Sequence, residues 1–168
     1  GGRMNEAALL QHYTAVADKS DIPILIYNVT KFTHISVSVR LVAELSQHPN
    51  IIGIKDSAGN VSFLGEVVNA VGEDFSVLVG TAGALFGALT LGCVGGVLAL
   101  ANVAPKACVR ILNLVKKGEI EAASKLQIKM LPVNTAITAT YGVPGLKGAQ
   151  DMLGYFGGDP RPPLLPAT

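Results

Sequence analysis

Charge is scarce in this chain and neither sign dominates: 15 % of the 168 residues are charged, with Lys+Arg 13 against Asp+Glu 12. Such a balance supplies no basic surface large enough to track a phosphate backbone, so no nucleic-acid partner is expected. Cysteine is nearly absent. Cys93 and Cys108 share no metal-type spacing with each other or with the histidines and lie in apolar surroundings, which fits buried free thiols in a reducing compartment, the cytoplasm or an organelle matrix. Long apolar runs are missing too. The longest stretch, around Leu89 to Val103, is broken by Gly92, Gly95, Gly96 and Asn102 and is short for a bilayer span, so no membrane partner is expected. No charged-then-apolar leader opens the chain; Gly1-Gly2-Arg3-Met4 runs straight into helix-like sequence, which reads as the interior of something longer.

Hydrophobic residues make up 49 % of the chain, enough at this length for one domain with a buried core. They are organised around Ile51-Ile52-Gly53-Ile54-Lys55-Asp56-Ser57-Ala58-Gly59-Asn60. The β-branched run predicts a short buried strand ending on a lysine, followed by turn and cap residues. An ammonium at the end of a strand covered on both faces costs free energy unless it is paired or deprotonated. Desolvation lowers a lysine pKa, and a neutral amine attacks a ketone to form a Schiff base, so Lys55 is a candidate nucleophile. The alternative is a lysine whose stem packs while its head reaches water.

Pro23-Ile24-Leu25-Ile26-Tyr27-Asn28 has the same build: an apolar run, one polar-tipped residue, then a turn former. Tyr27 and Lys55 hold the same place in their runs. On neighbouring parallel strands both side chains leave the same edge on the same side, and a phenol beside an amine serves as a proton relay.

Along the chain, apolar spacing predicts a helix over residues 5–18, capped by Asn5 and facing inward with Ala8, Leu9, Tyr13, Val16 and Ala17. His12 on it reads as a surface or packing residue. A Thr- and Ser-rich loop over 29–38 precedes a helix capped by Ser36 or Ser38, with Val39, Val42, Ala43 and Leu45 inward, stopped before Pro49. Asn60 caps a helix to about Val71, and further strands are expected over 75–79 and 94–100, with a short helix to Leu91 between them. A helix over 104–117 carries Pro105 in its first turn. Residues 119–141 read as a long helical stretch with Ala122, Leu126, Met130 and Val133 inward and a kink at Pro132; a shorter helix follows near 146–153, then an irregular exit. Strand starts near 23, 51, 75 and 94 give a βα repeat and hence a parallel sheet in an α/β fold. Four βα units are too few for a whole barrel, which leaves a small doubly wound sheet or the C-terminal half of a (β/α)8 barrel.

Four runs carry a resemblance: residues 23–28, 51–60, Gly95-Gly-Val-Leu-Ala-Leu-Ala-Asn-Val103 and Gly142-Val-Pro-Gly-Leu-Lys147. In that order the chain resembles the pyruvate-dependent class I aldolases related to dihydrodipicolinate synthase and N-acetylneuraminate lyase. Leu45-Ser-Gln-His-Pro-Asn-Ile51 and Ala99-Leu-Ala-Asn-Val103 are similar to the 4-hydroxy-2-oxoglutarate aldolase branch. The resemblance implies a C-terminal half of a TIM barrel, with a partial barrel over 1–118 and a C-terminal helical extension of the same domain over 119–168. It implies that Lys55 forms the Schiff base, that Tyr27 relays protons, and that Gly80, Thr81 and the backbone of Val97 line the pyruvoyl pocket. No metal or diffusible cofactor is implied. The implied partners are pyruvate, 2-oxo acids and further copies in a homotetramer.

Two departures stand out. Where the family continues after Tyr27-Asn28-Val29 with Pro and then Gly, this chain has Thr30 and His34, and Phe32 with Lys31 beside it replaces the arginine that grips a second carboxylate in the synthases. Nothing corresponds to the family's carboxylate-holding Gly-Thr/Ser turn or to its intersubunit aromatic. The expectation is an incomplete site, with little turnover even where pyruvate traps Lys55, and open sheet edges that invite association. By its residues alone, Gly80-Thr81-Ala82-Gly83 also reads as a phosphate-binding turn, although no basic residue lies near it.

Overall fold

The computed structural model describes residues 4–167. Its contacts divide the chain into two units: residues 4–80 with 87–96, and residues 81–86 with 97–167. The first unit holds the whole sheet.

In that unit, α1 (Glu6–Lys19) is followed by β1 (Ile24–Asn28), α2 (Thr30–Thr33), α3 (Val39–Leu45), β2 (Ile51–Asp56), α4 (Val61–Ala70), β3 (Ser76–Val79) and β4 (Gly95–Gly96). Side chains set the helix starts. Asn5 accepts from the Ala8 N–H at 2.9 Å, Ser38 from Leu41 at 3.1 Å and Asn60 from Phe63 at 3.1 Å, each satisfying an amide that the first turn leaves free. All four strands are parallel in the order β1-β2-β3-β4. Right-handed crossovers that step always in one direction place every helix on the same face of the sheet. A doubly wound sheet reverses its order; this one does not, and it is the arrangement of half of a (β/α)8 barrel.

Burial follows from that winding. On the helix-covered face Ile26, Ile54, Val77 and Val79 are buried, as are Leu41, Val42 and Leu45 of α3 and Leu64 and Val67 of α4. The opposite face carries Leu25 and Tyr27, 43 % and 50 % exposed. The second face is therefore open, as half a barrel implies, and the general expectation that a strand between helices is covered on both faces does not hold, because one-way winding puts no helix there. Helix faces differ from the expectation in detail: Leu9 and Ala17 are the buried residues of α1 while Ala8 and Val16 turn outward, and Leu41 joins the α3 core. A short helix, α2, lies in the expected loop; its C-cap His34 has φ 54°, the left-handed conformation that closes such turns.

The expected strand over 94–100 shrinks to β4. Val94 N–H donates to the Val77 carbonyl at 3.0 Å and the Gly95–Gly96 pair matches Leu78–Val79, after which β3 offers no further partner.

The second unit contains a 3-10 turn over Ala82–Ala84, another over Ala99–Asn102, α6 (Pro105–Lys116), α7 (Ile120–Thr135), a π-helical turn over Ala136–Thr140, and α8 (Gly142–Met152). Residues 85–90 form α5 (Leu85–Thr90). Pro105 occupies the first turn of α6, where its missing N–H is harmless. The helix runs through Pro132, which lies on its exposed face, and changes register only afterwards. There the Thr138 hydroxyl donates to the Asn134 carbonyl at 2.6 Å and Tyr141 N–H reaches back five residues to Ala136 at 2.9 Å. The inward face of α7 is not the expected one: Ala122 and Val133 are exposed, and Ala123, Gln127 and Asn134 are buried. Among the described residues no helix is long and apolar enough to cross a membrane.

Candidate active site

The C-terminal edge of the sheet carries the polar side chains. Tyr27 and Lys55 are partners in the β1–β2 register, and Lys55 Nζ lies 3.8 Å from the centroid of the Tyr27 ring. Two residues that the sequence places at equal positions in separate runs are thus neighbours across one rung of the ladder. The Lys55 amine, as hydrogen-bond donor and as a nearby positive charge, holds the Tyr27 phenol below its ordinary range, with Ser57 adding a smaller pull in the same direction.

Beneath this pair sits a second one. Asn28 Nδ2 donates to Asp56 Oδ1 at 2.6 Å, and Asp56 Oδ2 accepts from the Ala58 N–H at 3.1 Å. Asn28 is 4 % exposed and Asp56 fully buried. Burial raises the Asp56 carboxyl above its ordinary range, against the opposing pull of Asn28, of the Ala58 and Gly59 amides and of Lys55. The ladder continues past the strands: Ser57 N–H donates to the Asn28 carbonyl at 2.9 Å and Gly80 N–H to the Asp56 carbonyl at 2.6 Å. The ends of three strands are thereby locked together under Lys55.

Gly80 is pressed against this floor. A Cβ there would run into Ser57 Oγ, would stand 2.6 Å from Lys55 Cε and 2.9 Å from the Asp56 carbonyl oxygen, so only a residue without a side chain lets the lysine stem through. The structure therefore brings Tyr27, Lys55 and Gly80 together, and adds Ser57, which the sequence reading took as a turn residue. Repeating the Tyr27–Lys55 equivalence one residue further, to Asn28 and Asp56, was the available signal for the buried pair.

Thr81 and Val97 belong to the second unit. Thr81 is half-buried and its hydroxyl caps no amide of the turn that follows; Val97 is 56 % exposed just after β4. Near the start of α5, Phe86 N–H donates to Gln127 Oε1 at 3.0 Å. On α2, Lys31 Nζ lies 5.9 Å from the Phe32 ring, which is 74 % exposed. Cys93 and Cys108 are buried free thiols; burial, and for Cys93 also the Asp56 charge, push both up, Cys93 to about 11.

Comparison with known proteins matches residues 2–168 to the dihydrodipicolinate synthetase family. The 4-hydroxy-tetrahydrodipicolinate synthase of Methanothrix thermoacetophila is 36 % identical over 167 residues, covering 99 % of this chain and 57 % of that protein. The synthase of the same name from an Exiguobacterium species is 32 % identical over 166 residues, with the same two coverages, 99 % and 57 %. Among solved structures, the chloride-inhibited dihydrodipicolinate synthase of Acinetobacter baumannii complexed with pyruvate superposes with a TM-score of 0.92 at 26 % identity, over 99 % of this chain and 57 % of that one. The chain spans about half the length of the curated relatives it matches. These relatives bear the synthase name, not that of the 4-hydroxy-2-oxoglutarate aldolase branch to which residues 45–51 and 99–103 pointed.

Proposed function

The chain belongs to the dihydrodipicolinate synthetase family, and from that premise we propose that it supplies the Schiff-base half of a pyruvate-dependent aldolase site of the 4-hydroxy-tetrahydrodipicolinate synthase type. One observation carries the reading: Lys55 Nζ 3.8 Å from the Tyr27 ring at the C-terminal edge of a parallel sheet.

The Lys55 nitrogen attacks the C2 carbonyl of pyruvate to give a carbinolamine. A phenol made more acidic by its lysine neighbour donates a proton to the departing hydroxyl, water leaves, and the iminium remains. The iminium draws electrons from C3, which loses a proton to form the enamine; that carbon then adds to an aldehyde carbonyl, and hydrolysis returns the free amine. Gly80, Thr81 and the Val97 backbone serve the pyruvoyl part, and Ser57 joins Tyr27 in handling protons. The same reading makes the protein a homo-oligomer. Met152, Tyr155 and Phe156 of the second unit are 90 %, 63 % and 91 % exposed, apolar surface of the kind that subunit contacts cover.

A second reading rests on α2. Its sequence Thr30-Lys31-Phe32-Thr33 contains no arginine, so no bidentate grip on a second carboxylate is available there. That counts against the arginine clamp of the synthase type, and the other reading, an aldolase of the 4-hydroxy-2-oxoglutarate type, holds its own distal carboxylate with a group other than an α2 arginine.

The test is reductive trapping. Pyruvate and borohydride are expected to leave a stable adduct that peptide mapping places on Lys55 and that vanishes in Lys55→Ala. An adduct spread over surface lysines, or none, overturns the proposal.

A further inference from the structure

Helix α7 belongs to no strand, yet it spends its most buried polar side chain on the turn that carries Thr81. Gln127 is 7 % exposed. Its Oε1 accepts from Phe86 N–H at 3.0 Å, and its Nε2 donates to the Ala82 carbonyl at 2.9 Å and to that of Gly83 at 3.5 Å. The turn's own backbone bonds are Ala84 N–H to the Thr81 carbonyl at 3.2 Å and Leu85 N–H to the Ala82 carbonyl. One amide thus meets donors and acceptors of opposite polarity at the two ends of a six-residue segment. A carboxylate would repel the two carbonyls, and an alkyl chain would bond to neither end. Two helical turns on, Asn134 is also buried; its Nδ2 lies 3.6 Å from where a Cβ of Gly83 would stand, so the polar stripe of α7 follows the same turn.

We propose that Gln127 is the positioning residue that holds the Thr81–Phe86 turn in the conformation needed for 2-oxo acid binding. This rests on the reading that assigns Thr81 to the pyruvoyl part. Thr81 suits such a role because its hydroxyl is not used to cap the turn. Gln127 touches no substrate; it acts by fixing the backbone on which Thr81 sits.

The experiment measures the rate of borohydride trapping at Lys55 against pyruvate concentration in the full chain, for the parent, Gln127→Met and Gln127→Glu, with the thermal midpoint of each. Met keeps the volume and loses every hydrogen bond; Glu keeps the acceptor for Phe86 and loses the donor. The expected result is a half-saturating pyruvate concentration raised about tenfold in both variants, with the saturated trapping rate within about twofold of the parent. A lowered thermal midpoint with an unchanged half-saturation makes Gln127 merely structural and overturns the proposal, as does unfolding of both variants. If the parent itself is not trapped at Lys55, the reading of the site fails first and this inference falls with it; a trapped parent with unaltered variants sinks the inference alone.

Discussion

Lys55 Nζ stands over the ring of Tyr27, 3.8 Å from its centroid, on the neighbouring strand at the same rung. The contact sets an amine over an aromatic face and beside a phenol, and the amine holds that phenol below its ordinary range.

The phenol therefore titrates early. The ultraviolet difference between the chain and Tyr27→Phe isolates this one ionisation, whose midpoint is expected below the ordinary 10.0. In a Lys55→Met background the midpoint should climb back, since the largest cause of the lowering is gone. Identical midpoints in the two backgrounds would show that the pair does not interact.

Gly80→Ala tests the close approach. The new methyl meets Ser57 Oγ, Lys55 Cε and the Asp56 carbonyl, and such overpacking costs about 1–3 kcal/mol. Trapping of Lys55 by pyruvate should fall by about tenfold or more because the lysine stem must move. Gly72→Ala is the control, as nothing lies within 4 Å of its Cβ. Equal behaviour of the two variants would refute the steric account.

Asp56 gives a stability profile with a definite sign. Its carboxyl is raised by burial above the ordinary 3.8, so the folded state holds the proton to higher pH than the unfolded one does. The associated stability is present below the unfolded value and is lost as pH rises through the folded value. Urea midpoints of the parent and Asp56→Asn, compared from about pH 4 to about pH 7, should move apart, the parent losing ground to the variant as pH increases. A constant offset would mean that the carboxyl titrates alike in both states.

The thiols should be silent until the chain unfolds. With Cys93 pushed up to about 11, roughly one part in a thousand is thiolate at pH 8, and the Cys108 thiol is raised by burial as well. A thiol-specific chromogenic reagent is expected to react slowly with the native protein and quickly with both sites in urea. Fast native labelling of Cys93 would show that its burial is not maintained.

Much of the architecture could be read along the chain. Asn5, Ser38 and Asn60 announce helix starts through bonds to amides three residues away, and Pro105 marks another. The matching places of Tyr27 and Lys55 in two apolar runs anticipated their meeting, because parallel strands of like build align like positions. These signals lie within a few residues of one another or repeat a local pattern, so composition and spacing determine them.

Tertiary structure decided the rest. Whether the sheet winds one way or doubles back depends on strand order, which no single βα unit encodes. The Asn28–Asp56 bond joins residues 28 apart, and Gln127 reaches Phe86 and Ala82 across 41 and 45 residues. Hydrophobic periodicity could not place Gln127 inside α7, because its amide is tolerated in a core only where distant backbone groups meet it. The length of β4 was likewise set by its neighbour, since a strand extends only as far as there is a partner to bond. What the sequence by itself determined was each element and the chemistry at its tip; which tips meet, and which polar groups may be buried, followed from the packing that supplies their partners.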